Sequence, residues 1–162
     1  MAKKSTTAIE PRSASSGIPC PESIKELVEN FNRDIDRYKS DDYKEHQVRS
    51  EFIDPMLEAL GWNVRNTGLP YDQREVIGED RLKAEDAPTA PDYGVYLGKK
   101  RRFFIEAKKP RVNLDRDTSA AYQLRRYGWS AKLPLCILTD FEELGIYDTR
   151  IEPQRRDSTR KA

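Results

Sequence analysis

The sequence predicts an α/β (α+β) domain in which a central mixed β-sheet is flanked by helices. Two amphipathic helical segments come first, and from Asp92 onward the pattern changes to alternating strands. A third observation is the apolar run PLCILTD, the signature of a strand buried on both faces of a sheet. The expected order is α-α-β-β-β-α-β-β.

Each element has its own warrant. Residues 1–20, rich in Ser, Thr, Ala and Pro, read as a flexible leader with little to bury. From Pro21 to about Lys39, Ile24, Leu27, Val28, Phe31, Ile35 and Tyr38 recur with helical period. A second helix is expected over 42–61, with Val48, Phe52, Ile53, Met56, Leu57 and Leu60 on one face and Gly61 as its stop. Pro55 falls inside it and should kink it or split off its first part. WNVRN then reads as a short strand, followed by a polar stretch to residue 90 in which Val76 and Ile77 are the paired apolar residues. YGVYL, a turn at Gly98, and RRFFIEAKK read as a hairpin. A helix from Thr118 to Ser130, the PLCILTD strand and a last strand LGIYDTR complete the domain over 21–150. Residues 151–162 form a basic polar tail.

At 162 residues the chain is one domain, large enough for a core around a sheet. No window approaches the run of about 18 apolar residues that a spanning helix needs, and the basic start lacks the apolar stretch of a secretory signal. A cytoplasmic location is expected. Two cysteines and one histidine make neither a disulfide framework nor a zinc site, and His46 supports no nucleophile triad. Trp62, Phe103, Phe104 and Trp129 are expected in the core.

The chemistry concentrates in PDYGVYLGKKRRFFIEAKKP. In a strand of period two, Phe103, Ile105 and Ala107 face one side while Phe104, Glu106 and Lys108 face the other. An acid and an ammonium inside an apolar strand demand compensation. A divalent cation held by Asp92 and Glu106, with the Ala107 carbonyl as a further ligand and Lys108 beside a bound water, supplies it. Such a set would provide what phosphodiester hydrolysis requires, a nucleophilic water and positive charge opposite the developing oxyanion. The plainer readings are an exposed ion pair for Glu106 and Lys108, and a strand-initiating turn for Asp92.

Helix geometry adds Glu45. At 100° per residue it lies within about 20° of Phe52 and of Met56, on the core-facing stripe. It can complete or support the metal site, or serve simply as an acid favoured at a helix N-terminus. Arg49, one turn later, can pair with Glu45 or meet a phosphate. Gln123, one turn before Tyr127, can position water or phosphate, or be structural.

Glu45, then Pro91-Asp92, then, after thirteen intervening residues, Glu106-Ala107-Lys108, together resemble the PD-(D/E)XK nuclease superfamily. KEHQVRSEFIDPMLEALGW, the segment around EAK, and AYQLRRYGWSAKLPLCILTDFEELGIYD are similar to the nuclease domain of type I restriction motor subunits and of type IIG enzymes that join nuclease to methyltransferase. The likeness covers about residues 22–149. It implies a restriction-endonuclease-like core and makes Asp92 and Glu106 the metal carboxylates, Lys108 the catalytic lysine, Glu45 the helix acid and Gln123 the glutamine after the catalytic strand. The implied activity is cleavage of double-stranded DNA with Mg²⁺, for which Mn²⁺ can substitute.

The competing functions are a DNA-binding or assembly module that does not cleave, and a repair or junction-resolving nuclease acting as a homodimer. No methyltransferase or helicase segment stands in this sequence, so specificity or translocase domains or subunits are expected as partners. The net charge of +1 hides segregation: seven of the thirteen residues from Lys99 to Arg111 are basic. Of these, Lys99, Lys100, Arg101, Arg102, Lys109 and Arg111 are expected to meet phosphates.

Overall fold

Pro21 cannot donate an amide, and its extended backbone opens helix α1 (Glu22–Arg33), which buries Phe31. The computed structural model describes residues 18–80 and 90–157. Most of the expected leader, residues 81–89 of the polar stretch and residues 158–162 of the expected tail lie outside these.

The first expected helix breaks at Asp34 (φ −118°), and a short α2 (Ile35–Tyr38) turns Tyr38 back onto Phe31, ring centroids 5.4 Å apart. The second expected helix starts later and is broken. Helix α3 (Glu45–Val48) is capped where the Lys44 amide donates to Gln47 Oε1 at 2.9 Å. A π-helical turn (Arg49–Ile53) follows, then α4 (Asp54–Ala59). Pro55 explains the interruption: its ring lacks an amide and crowds the preceding turn, and the wider π turn, closed by the Asp54 amide on the Arg49 carbonyl, relieves both. Gly61 (φ +95°) ends the helix, with the Trp62 amide returning to the Leu57 carbonyl at 3.0 Å.

WNVRN forms turns and not a strand, and this corrects the sequence expectation. Asn66 adopts a left-handed backbone (φ +53°), and its amide side chain clasps the chain ten residues on, accepting from Glu75 N at 2.8 Å and donating to Val76 O at 2.7 Å. The strand that the clasp anchors is β1 (Val76–Gly78).

The remaining strands are β2 (Tyr93–Leu97), β3 (Lys100–Ala107), β4 (Leu135–Thr139) and β5 (Leu144–Asp148). They form one sheet in the order β1-β2-β3-β4-β5, antiparallel throughout except for the parallel β3–β4 pair. The crossover between β3 and β4 carries α5 (Thr118–Ser130), capped where the Asp117 carboxylate accepts from the Ala120 amide at 2.9 Å.

Period two along β3 sorts the core onto two faces. Ile105 and Ala107 join Val95 and the helical residues Phe31, Val48, Phe52, Ile53 and Leu57. Phe104 joins Cys136, Leu138 and Tyr147 under Leu124 and Tyr127 of α5. Helices thus cover both faces of β3 and β4, as the apolar PLCILTD run requires. The helix can settle this closely because Gly128 has no Cβ: one would lie 2.4 Å from Cys136 Sγ and 2.6 Å from Thr149 Cγ2. Trp129, expected in the core, is 40% exposed, because α5 turns Gly128 and not Trp129 to the sheet. Both cysteines are free thiols, and among the described residues no helix is long and apolar enough to cross a membrane.

Candidate active site

The C-terminal end of β3 carries Glu106, Ala107 and Lys108. Antiparallel pairing of Tyr93 with Ile105 sets Asp92, just before β2, beside them. The strand pairing fixes this contact through the backbone: the Ala107 amide donates to Asp92 Oδ2 at 2.8 Å, and the Asp92 amide donates to Glu106 Oε2 at 3.3 Å. Past the strand end, the Lys108 amide donates to the Thr139 carbonyl at 2.9 Å, holding Lys108 against β4.

Lys108 Nζ donates to Glu106 Oε1 at 2.8 Å and stands 3.8 Å from Glu45 Oε2. Glu45, the first residue of α3, therefore reaches the strand end. Arg49 pairs with Asp92 and not with Glu45: its Nη1 donates to Oδ1 at 2.7 Å. The structure thus joins Glu45, Arg49, Asp92, Glu106, Ala107 and Lys108 in one part-buried network.

The electrostatics follow from three acids around one ammonium. Burial raises the Glu106 carboxyl above its ordinary value, and the neighbouring Asp92 adds to it. Burial likewise raises Glu45, against the pull of Lys108. Burial works against the Lys108 ammonium, but Glu106, Glu45 and Asp92 together outweigh it and hold its pKa up. Lys108 is consequently a charged donor at neutral pH, suited to stabilising anionic oxygen and not to accepting a proton.

Asp92 and Glu106 are hard oxygen donors of the kind that Mg²⁺ takes, and their mutual repulsion is what a divalent cation relieves. Among the described residues, however, no group of three or more acidic, His or Cys side chains is gathered closely enough to hold a metal ion. Lys108 bridges Glu106 and Glu45, and Arg49 is bonded to Asp92.

Gln123 and the basic run complete the set of expected site residues. Gln123, on α5, donates to Tyr127 Oη at 3.2 Å on its own helix. The basic run divides. Its first four members lie just before and at the start of β3, and seven steps of about 3.3 Å put Lys100 roughly 23 Å from Ala107. Lys99 pairs with Asp72 at 2.6 Å, while Lys100 and Arg102 are exposed. Arg101 is turned inward onto buried Asp80, through Nε to Oδ2 at 2.7 Å and Nη2 to Oδ1 at 2.8 Å. Lys109 and Arg111 follow the strand at the site end, where Arg111 pairs with Asp41.

Sequence reasoning missed two acids. Asp54 accepts from Tyr93 Oη at 2.6 Å, fixing the residue next to Asp92 to the helix that carries Arg49's π turn. Burial, followed by that bond, pushes the Tyr93 phenol well above its usual range. Asp80 is the other, and Gly94 was its signal: a Cβ on this mid-strand glycine would lie 1.9 Å from Asp80 Oδ2.

The comparisons with known proteins come to bear on this arrangement. No family profile matches the chain, and no solved structure matches it. A type II restriction enzyme and methyltransferase of Escherichia coli is 39% identical over 140 residues, which cover 85% of this chain. The chain spans only 14% of that relative's length.

Proposed function

The chain belongs to the PD-(D/E)XK restriction nucleases, and from that premise we propose that it is a metal-dependent endonuclease module that hydrolyses DNA phosphodiester bonds in a restriction-type system. The observation that carries the reading is the junction of Asp92, Glu106 and Lys108 at one strand end with Glu45 above it. An edge-strand ion pair would not engage a third acid from a helix and a fourth residue, Arg49, through Asp92.

In this reading Asp92 and Glu106 hold Mg²⁺, or Mn²⁺ in its place, with the Ala107 carbonyl and Glu45 as neighbouring oxygen donors. When bound, the ion supplies Lewis-acid polarisation of the phosphoryl oxygen and lowers the pKa of an attacking water. Lys108 keeps its proton on Nζ and offers a charge-assisted hydrogen bond to the anionic oxygen that develops on phosphorus. The two backbone amides on Asp92 and Glu106 keep the carboxylates aligned, so they need little reorganisation during the reaction. Lys109 and Arg111 lie where the DNA backbone would approach. Target choice falls to methyltransferase, specificity or translocase domains or subunits; the relative from Escherichia coli is itself both restriction enzyme and methyltransferase.

Supercoiled, linear and branched DNA incubated with Mg²⁺ or Mn²⁺ tests the proposal. Metal-dependent nicking by the wild-type chain, lost in both Lys108→Ala and Asp92→Ala, is the expected result. Equal activity in the variants would refute the site. DNA binding without cleavage, with the partner domains supplied, would make the chain a binding or assembly module.

A further inference from the structure

The four carboxylate oxygens of Asp92 and Glu106 are all engaged. Two accept from backbone amides, Ala107 N and Asp92 N, which the strand pairing holds in place. The other two are held by side-chain cations, Lys108 on Glu106 and Arg49 on Asp92. We propose that Arg49 is an exchangeable counter-cation, which holds Asp92 until a divalent cation takes its place and then carries its charge to a DNA phosphate. The proposal rests on the nuclease reading above and goes beyond it.

Three considerations single out Arg49. A guanidinium is a planar, delocalised cation that suits both carboxylate and phosphate, so Arg49 can pass from one to the other. Its side chain is 28% exposed, against 19% for Lys108, and it meets Asp92 through Nη1 at 2.7 Å, so it has a way out to solvent. Its backbone is anchored meanwhile, because the Arg49 carbonyl closes the π turn with the Asp54 amide. Movement is confined to the side chain.

Charge balance gives the direction of the exchange. Glu45, Asp92 and Glu106 are balanced in full by Lys108 together with a divalent cation. Arg49 then becomes surplus positive charge in a part-buried network, where uncompensated charge is costly. Its planar fork suits a phosphate. Because one event frees what the other needs, metal and DNA should each raise the other's affinity by the same factor.

Calcium, a hard oxygen-seeking ion, is the probe, titrated calorimetrically into the full chain without DNA. Arg49→Ala should bind Ca²⁺ about tenfold more tightly than wild type, or about 1.4 kcal/mol. Lys109→Ala, which removes a charge that acts on Glu45 without touching Asp92, should tighten Ca²⁺ binding clearly less than Arg49→Ala does. Anisotropy of a labelled DNA duplex supplies the second readout: Ca²⁺ should tighten binding by wild type, and that gain should disappear in Arg49→Ala. Arg49→Lys should return Ca²⁺ affinity toward wild type, and Arg49→Gln carries the same comparison if the alanine variant melts early. Unchanged Ca²⁺ affinity in Arg49→Ala, equal tightening in Lys109→Ala, or a Ca²⁺ gain in DNA affinity that survives without Arg49 would each overturn the proposal. Asp92→Ala separates the two readings. If it binds Ca²⁺ as wild type does, the metal position in the nuclease reading fails; if it loses Ca²⁺ while Arg49→Ala does not tighten, only the exchange fails.

Discussion

Arg101 grips Asp80 with two parallel hydrogen bonds, and Asp80 is 7% exposed. Tyr96 donates to the same carboxylate at 2.8 Å, and the guanidinium lies 5.0 Å from the centre of the Phe104 ring. Removing one partner of such a pair strands the other's charge. Asp80→Ala should therefore destabilise the fold by about 3 kcal/mol or more, while Asp72→Ala, which frees the exposed Lys99, should leave the unfolding midpoint almost unchanged. Urea unfolding at matched salt measures both. Similar midpoints for the two variants would show that the buried pair is not structural.

Asp140 gives the fold a pH dependence. It is 1% exposed and accepts from the Glu143 amide at 2.7 Å. Burial pushes its carboxyl from 3.8 up to about 7. An acid whose pKa is raised by folding stabilises the native state fully below its unfolded value and loses that contribution as pH rises to the folded one. Stability should accordingly fall between about pH 4 and pH 7 and then level off. Asp140→Asn retains an oxygen for the Glu143 amide and has no charge to bury. Its advantage over wild type should grow across that window by about 2 to 4 kcal/mol. Thermal melts across the pH range check it, and a difference independent of pH would assign the effect to packing.

Gly128 limits the approach of α5 to the sheet. Gly128→Ala forces a methyl against Cys136 and Thr149 and should destabilise by about 1–3 kcal/mol. The helix propensity of alanine acts in the opposite direction, by about 1 kcal/mol. If overpacking dominates, adding Cys136→Ala should recover part of the loss. A stabilised Gly128→Ala variant would mean that the helix moves outward at little cost.

Which features were legible in the sequence depended on how local their causes are. The alternation of Phe103, Phe104, Ile105 and Glu106 follows from strand geometry, so both faces of β3 could be read from it. Glu45 meets Lys108, but its angle to Phe52 and Met56 was counted at 100° per residue across the π turn at 49–53, which that count does not describe. The misread segment WNVRN has the composition of a strand. Its fate is decided by the Asn66 side chain, which bonds to residues that are remote in sequence until the chain folds. Arg49 was legible as a polar residue on the inner stripe, but its partner was not, because that depends on how the helical segment meets the start of β2, where Tyr93 also bonds Asp54. The division of the basic run was not legible for a related reason: β3 separates its two ends, and a bulge opposite Val95 and Tyr96 turns Arg101 onto Asp80 while Arg102 stays exposed.

That separation leads to a difference in DNA binding. Phosphate contacts release counterions, so each lost contact lowers the slope of log affinity against log salt by about one. Lys109 and Arg111 stand at the site end of β3, and Lys99 stands at the far end in an ion pair with Asp72. Lys109→Ala and Arg111→Ala should each weaken duplex binding and lower the slope by about one, whereas Lys99→Ala should leave the slope nearly unchanged. Arg101→Met should act through stability, with a lower unfolding midpoint and an unaltered salt slope under conditions where it remains folded. Anisotropy titrations at several salt concentrations separate these outcomes. A slope that fell equally for Lys99 and Lys109 would place the DNA along the whole length of β3 and not at its carboxyl end.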